Sequence, residues 1–131
     1  MKASRKENRD STSPEPFTPL AFSPLAEGEF HARLAATTGT AVVLFSAPSC
    51  GSCRAWKQLL PTALAGRVSA LYEVDVSEAT GVARYFGIFH LPTLYLYRDG
   101  QFHAELQCEA KWEAIQQAVL GLLDAPAQDE P

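Results

Sequence analysis

The sequence feature that most constrains the fold is a short apolar run at positions 41–45 (AVVLF), which is followed by two cysteines, Cys50 and Cys53. An unbroken apolar run with adjacent valines is typical of a strand that is covered on both faces. After Cys53, apolar residues recur at helical spacing up to position 65. The segment therefore predicts a buried strand, a turn that carries the cysteines, and a helix that begins at the second cysteine.

The rest of the chain extends this unit into an α/β domain. Asp99-Gly100 is a turn signal for an antiparallel hairpin, and the segment 17–25, with two prolines, can only be an edge strand or an extended arm. The predicted fold is a central mixed sheet of four to five strands flanked by helices, with a C-terminal antiparallel hairpin and helix. Further strands are predicted at 68–76, 94–97 and 101–106, and further helices at 27–37, 78–85 and 111–123.

Length and composition limit the domain organisation and the partners. The 131 residues, 47% of them apolar, are enough for one core, which is predicted at 20–124. Residues 1–19 and 125–131 are polar, so we expect a disordered leader and a disordered tail. The net charge of −4 argues against a nucleic-acid or membrane surface, and no window reaches the ~18 apolar residues that span a bilayer.

The cysteine count and the N-terminal residues indicate a compartment. Three cysteines are too few for a secreted disulfide scaffold, and no apolar segment follows the N-terminal charges. We therefore expect a monomer in the cytoplasm, which is a reducing environment. There, a pair of cysteines three residues apart is either redox-active or metal-binding.

A position at the start of a helix gives the two cysteines different chemistry. Backbone N–H groups and the positive end of the helix dipole would point at Cys50 and lower its pKa. Cys53, one turn further on, lies within disulfide reach. Cys50 is therefore the candidate nucleophile and Cys53 the candidate resolving thiol. Gly51 is expected to let the turn close without a side chain in the way.

The metal-binding alternative needs two further ligands. The remaining candidates are one cysteine and three histidines, none of which forms a second closely spaced pair: Cys108, His31, His90 and His103. We therefore expect no metal, and no cofactor besides the redox-active disulfide of Cys50 and Cys53.

Several motifs together resemble those of the thioredoxin family: residues 42–45, Cys50-Gly51-Ser52-Cys53, Phe86-Gly87-Ile88 and Leu91-Pro92-Thr93. The resemblance covers residues 25–123 and implies a thioredoxin-like fold. It also implies that Pro92 is a cis-proline packed against the cysteine pair, where the neighbouring backbone stays free to pair with an extended substrate. Gly51, Ser52, Leu91, Pro92 and Thr93 are thereby expected to position the substrate.

The sequence departs from the family pattern at four positions. Ser49 replaces the usual aromatic residue before the first cysteine, and Ser52 replaces the proline between the cysteines. Leu44 stands where the family keeps a buried aspartate, and the lysine partner of that aspartate aligns with Leu71. Loss of both charges together is physically coherent, because a lone buried ion is costly. Either water then takes the proton of the resolving cysteine, or turnover is slower.

Two further residues have open roles. His90 precedes Pro92 by two residues, where the family has a glycine. It either pairs with the Cys50 thiolate or shuttles a proton, or it is a solvent-exposed loop residue. Cys108 is a third redox thiol, a site of glutathione capping or dimer linkage, or an inert half-buried residue.

The sequence thus predicts a thiol–disulfide oxidoreductase that reduces protein disulfides and is regenerated by a thioredoxin reductase or by glutathione. One alternative is a thioredoxin-like binding, chaperone or assembly module with weak or no turnover. Another is an oxidase or isomerase that acts on exported proteins.

Overall fold

The structure, a computed structural model, describes residues 18–131. These residues form one five-stranded sheet with helices on both faces. The strands are β1 (Phe22–Pro24), β2 (Thr40–Ser46), β3 (Ala70–Asp75), β4 (Thr93–Arg98) and β5 (Gln101–Glu105). The α-helices are α1 (Phe30–Ala35), α2 (Cys53–Ala63), α3 (Thr80–Phe86) and α4 (Trp112–Asp124), and a 3-10 turn at Glu27–Glu29 precedes α1.

The strand order in the sheet is β1-β3-β2-β4-β5. β1 and β2 both run parallel to β3, whereas β4 is antiparallel to β2, and β5 is antiparallel to β4. The predicted α/β fold is confirmed: the sheet is mixed, and it ends in an antiparallel hairpin followed by a helix. The proline-containing segment supplies β1, which is an edge strand as expected.

The central strand β2 divides the core into two clusters. Val42 and Leu44 face one cluster, to which α2 and α4 contribute. Val43 and Phe45 face the other, to which α1 and α3 contribute. All four side chains are fully buried, because helices cover both faces of the strand. The apolar run at 41–45 follows from this central position.

Helix α4 packs against the first cluster with only part of its predicted apolar face. Helical spacing predicts Trp112 in the core together with Ile115 and Val119. Ile115 and Val119 are fully buried, but 47% of the Trp112 surface is exposed. The prediction for Trp112 is wrong because this residue begins α4, one turn before the part of the helix that the sheet covers.

A bulge in β5 coincides with a buried histidine, His103. Leu96 pairs with Ala104 and Tyr97 with Phe102, which leaves His103 as an extra residue on β5. His103 is buried, and its Nε2 donates a hydrogen bond of 2.7 Å to the carbonyl of Leu122 in α4. This hydrogen bond gives the ring N–H at Nε2 a partner inside the protein.

The tail at 125–131, whose disorder stays a prediction, contains no helix or strand and makes hydrogen bonds with β5. The backbone N–H of Gln128 donates to the carbonyl of His103 at 2.7 Å. The side-chain oxygen of Gln128 accepts a hydrogen bond of 3.1 Å from the backbone N–H of Glu105. The tail therefore runs along the side of β5 that faces away from β4.

All strands and helices lie within the domain predicted at 20–124. The leader predicted at 1–19 lies outside the described residues, apart from Thr18 and Pro19, which have no regular secondary structure. Between residues 18 and 131, no helix combines the length and the apolar character that crossing a membrane requires.

Candidate active site

The cysteine turn and the Pro92 loop lie at the same end of the sheet. Because β2 and β4 are antiparallel, the end of β2 lies beside the start of β4, and Phe45 is opposite Thr93. The chain leaves β2 after Ser46 towards the cysteines, and it enters β4 directly after Pro92. The register of two neighbouring strands thus brings together segments that are far apart in the sequence.

The two cysteines form a disulfide at the start of α2, with their Cα atoms 5.4 Å apart. Cys53 is the first residue of the helix and only 2% exposed, whereas Cys50 lies in the preceding turn and is half-buried. The backbone N–H of Cys53 donates to the Cys50 sulfur at 3.2 Å, and the Ser52 hydroxyl lies 3.6 Å from the same sulfur. These donors surround the sulfur that solvent can reach.

The steric role predicted for Gly51 is wrong. A Cβ atom at this position would have nothing within 4 Å, and the backbone does not adopt the left-handed conformation that favours glycine. The turn is closed by backbone hydrogen bonds from Cys50 to Ala47 and from Arg54 to Gly51. Any small residue would fit there, so a role for Gly51 in positioning substrate stays a prediction.

The loop before β4 carries a cis peptide bond between Leu91 and Pro92. Thr93 is buried, and its hydroxyl donates a hydrogen bond of 2.7 Å to the carbonyl of His90, which fixes the loop. Within residues 18–131, neither the backbone N–H nor the carbonyl of Leu91 has a backbone hydrogen-bond partner. Leu91 therefore offers an unpaired peptide group at the end of the sheet that carries the disulfide.

The side chains that precede Leu91 point into solvent. His90 is exposed, and its imidazole forms no hydrogen bond with any residue between 18 and 131. This arrangement favours the solvent-exposed interpretation of His90. Phe89 is 94% exposed. Phe89 was not among the residues predicted for the site, because in the sequence it stands between the apolar residues Ile88 and Leu91 and looks like a packed side chain.

A charged pair lies beside α2, contrary to the expectation that none remains. Leu44 and Leu71 are both buried, but the residue opposite Leu44 on β3 is Glu73. Its carboxylate oxygen Oε2 lies 2.6 Å from the Lys57 ammonium and accepts a hydrogen bond of 2.7 Å from the Ser46 hydroxyl. Lys57 lies one turn after Cys53, so this ion pair is next to the resolving cysteine along α2.

Leu71, the residue aligned with the family's lysine, lies two residues before Glu73. Leu71 and Glu73 are alternate residues of β3 and therefore point to the same face of the sheet. A shift of two positions preserves the hydrophobic alternation, so the sequence pattern alone does not reveal that Glu73 is the residue opposite Leu44. The cue that was available is Glu73 itself, a charged residue within a predicted strand.

Cys108 lies in the loop between β5 and α4, half-buried against the cluster that α2 and α4 share. Burial raises the pKa of its thiol, and the neighbouring Glu109 carboxylate raises it further. Both effects disfavour the thiolate, which is the reactive form of cysteine. They favour the inert interpretation of Cys108 over that of a third redox thiol.

No cluster of three or more histidine, cysteine or acidic side chains is arranged to hold a metal ion in the part of the chain that the structure describes.

Asp75, at the end of β3, accepts hydrogen bonds from the backbone N–H and the hydroxyl of Ser77, at 2.9 and 2.6 Å. It serves as a turn residue, as its position after an apolar strand predicts.

The fold and the cysteine pair together define a thioredoxin-fold domain with a dithiol at a helix start. The sequence model of the family described as Thioredoxin matches residues 21–120. The chain belongs to the thioredoxin family.

Similar proteins agree with this assignment. A thioredoxin domain-containing protein of Theileria parva is 36% identical over 95 residues, which are 70% of this chain and 42% of that protein. The thioredoxin Asp f 29 of Aspergillus fumigatus is 33% identical over 75 residues, 55% of this chain and 68% of the relative. The chain thus spans less than half the length of the Theileria parva protein.

The crystal structure of thioredoxin NaTrxh from Nicotiana alata has the same fold. It superposes with a TM-score of 0.66 at 21% sequence identity and covers 79% of this chain and 93% of the Nicotiana alata chain.

Proposed function

We propose that this protein is a thiol–disulfide oxidoreductase that reduces protein disulfides with the Cys50–Cys53 dithiol. The observation that carries the proposal is the asymmetry of the pair: Cys50 is half-buried, and Cys53 is only 2% exposed. The pair lies at the same end of the sheet as the unpaired backbone of Leu91. Cys50 is therefore the residue of the pair that a disulfide of another protein can reach.

The reaction proceeds by two thiol–disulfide exchanges. The Cys50 thiolate attacks one sulfur of the substrate disulfide and forms a mixed disulfide, and the other substrate sulfur leaves as a thiolate that takes up a proton. The Cys53 thiol loses its proton, and its sulfur then attacks the Cys50 sulfur and releases the second substrate thiol. Two electrons pass from the dithiol to the substrate, and the Cys50–Cys53 disulfide is the oxidised product.

The groups around Cys50 support its role as nucleophile. In the reduced protein, the N–H of Cys53 and the positive end of α2 stabilise negative charge on the Cys50 sulfur. The substrate segment is expected to pair with the backbone of Leu91 beside Pro92, with Gly51, Ser52 and Thr93 shaping the site. A thioredoxin reductase or glutathione would return the disulfide to the dithiol in a cytoplasmic setting, with a monomer as the working unit.

Insulin reduction in the presence of dithiothreitol tests this activity. The wild-type protein should accelerate the precipitation of the insulin B chain, and Cys50→Ser should lower the rate to that of dithiothreitol alone. Cys108→Ser is the matched control, because it also removes a thiol, and it should keep the wild-type rate. Equal rates for wild type and Cys50→Ser would refute the proposal.

A second candidate function is a binding or assembly module that uses the same surface without turnover. The replacement of the family's buried aspartate by Leu44 and of its active-site aromatic residue by Ser49 favours this candidate. Binding of a partner that persists in the Cys50→Ser/Cys53→Ser double variant would support it.

The oxidase or isomerase alternative differs from the reductase in the equilibrium of the pair with glutathione. A dithiol that stays largely reduced in a glutathione redox buffer would point to an oxidant, because a strong oxidant has a stable reduced form.

A further inference from the structure

Phe89 is the most exposed of the large apolar side chains in the described part of the chain. Its exposed fraction is 94%, compared with 57% for Tyr85, 50% for Leu120 and 47% for Trp112. A phenyl ring that is left almost wholly in water contributes little to folding, because apolar side chains stabilise a fold by leaving water. The ring is therefore free to contact another molecule.

The loop that carries Phe89 leads directly to the candidate active site. Gly87 ends α3 in the left-handed conformation, and Pro92 immediately precedes β4, whose first residue Thr93 is opposite Phe45 at the end of β2. Phe89 is two residues before Leu91, whose backbone is unpaired. The exposed ring thus belongs to the same short loop as the peptide group to which a substrate segment would bind.

Hydrogen bonds constrain the backbone of this loop on both sides of Phe89. The N–H of Ile88 donates to the carbonyl of Ala83 at 2.9 Å, and the Thr93 hydroxyl donates to the carbonyl of His90 at 2.7 Å. The Phe89 ring lies across Gly87, where an added Cβ atom would be 4.0 Å from the ring carbon Cε2. A side chain on a constrained backbone loses less conformational entropy when it binds than one on a free loop does.

We propose that Phe89 is a specificity-determining residue that binds an apolar side chain of the substrate polypeptide, close in sequence to the cysteine that Cys50 attacks. A segment that pairs with the backbone of Leu91 passes Phe89 two residues away, within reach of a large apolar side chain on the segment. Burial of that side chain against the ring removes apolar surface of both partners from water. This inference rests on the proposed function, since it concerns the substrates of the same disulfide.

The test compares three disulfide substrates on the full-length protein. Two are peptides with one internal disulfide, flanked by leucine and phenylalanine in one peptide and by serine in the other. The third is hydroxyethyl disulfide, which is too small to reach Phe89 and Cys50 together. Phe89→Ser should lower kcat/KM about five- to tenfold for the apolar peptide, as expected for an exposed aromatic anchor, and by less than about twofold for the others.

Two control variants separate recognition from structure. Tyr85→Ser removes another exposed aromatic ring, one that packs against His31 of α1 rather than in the Pro92 loop, and it should leave all three rates unchanged. Phe89→Leu keeps an apolar side chain and should retain most of the preference for the apolar peptide. An equal loss on all three substrates in Phe89→Ser, or no loss on the apolar peptide, overturns the proposal.

A binding measurement keeps this inference distinct from the proposed catalytic function. The apolar peptide with both cysteines replaced by serine is not a substrate, so its affinity does not depend on turnover. Phe89→Ser should weaken its binding about fivefold in a fluorescence titration, with Tyr85→Ser again as the control. A wild-type protein that reduces none of the three disulfides would refute the catalytic proposal alone. Equal binding by wild type and Phe89→Ser would refute the role of Phe89.

Discussion

Two regions of this protein place a cysteine in opposite surroundings. At the start of α2, the Cys50 sulfur is half-buried and receives a backbone N–H from Cys53 at 3.2 Å. In the loop between β5 and α4, Cys108 is also half-buried, but burial and the Glu109 carboxylate raise the pKa of its thiol. The two residues are buried to a similar degree, but a hydrogen-bond donor faces one sulfur and a carboxylate lies near the other.

This difference predicts that the two thiols differ in reactivity, because burial raises the pKa of Cys108 while a backbone N–H faces the Cys50 sulfur. Donor N–H groups at a helix start favour the thiolate, and a nearby carboxylate disfavours it. Cys108 packs against the apolar cluster to which α2 contributes Trp56 and Leu60. We expect thiol chemistry at Cys50 and Cys53 and none at Cys108.

The largest expected effect is in the trapping of substrates from a cell lysate. Cys53→Ser removes the resolving thiol, so substrates should remain attached to Cys50 as mixed disulfides that a reducing agent releases. The adducts should disappear in Cys50→Ser/Cys53→Ser and persist in Cys53→Ser/Cys108→Ser. If the adducts were instead lost in Cys53→Ser/Cys108→Ser, Cys108 and not Cys50 would be the reactive thiol. Non-reducing gels followed by mass spectrometry measure the outcome.

A smaller effect is expected in the alkylation of the reduced protein. At pH 7, iodoacetamide should modify Cys50 at least about tenfold faster than Cys108, because only the thiolate reacts. A backbone N–H at the helix start faces the Cys50 sulfur, whereas burial raises the pKa of the Cys108 thiol. The Cys108 rate should rise only as the pH passes above the usual range of a free cysteine, since its pKa is raised. Peptide mass spectrometry at several pH values gives both rates. Similar rates for the two cysteines at pH 7 would contradict the assignment.

The smallest effect concerns the carboxylate beside Cys108. Glu109→Gln removes the second cause of the raised pKa and leaves the larger one, which is burial. Alkylation of Cys108 at pH 8 should therefore increase by less than about threefold, in the range expected for a screened surface charge. Glu113→Gln, an exposed residue in the first turn of α4, is the control and should leave the rate unchanged. A larger rise would mean that charge, and not burial, sets the reactivity of Cys108.

The parts of the fold that follow from local patterns could be predicted from the sequence. The strand β2 and the helix after the cysteines were predictable because a continuous apolar run and a helical spacing each depend on neighbouring residues only. The hairpin between β4 and β5 was predictable because Asp99-Gly100 encodes its own turn: Asp99 and Gly100 both have positive φ, 49° and 84°.

The features that the sequence did not predict depend on how neighbouring strands are aligned with each other. The bulge at His103 adds one residue to β5 opposite β4, and no local pattern reveals such an insertion. The pair of Lys57 and Glu73 depends on which β3 residue lies opposite Leu44, and a shift of two positions leaves the hydrophobic pattern unchanged. In both cases the missing information is the register between strands.

The contact between Gln128 and β5 also determines how other chains can add to the sheet. A free strand edge can pair with any extended polypeptide, but β5 gives its His103 carbonyl and Glu105 N–H to Gln128. At the opposite edge, β1 is only three residues long and contains Pro24. In the described part of the chain, both edges of the sheet are thus poor templates for self-association.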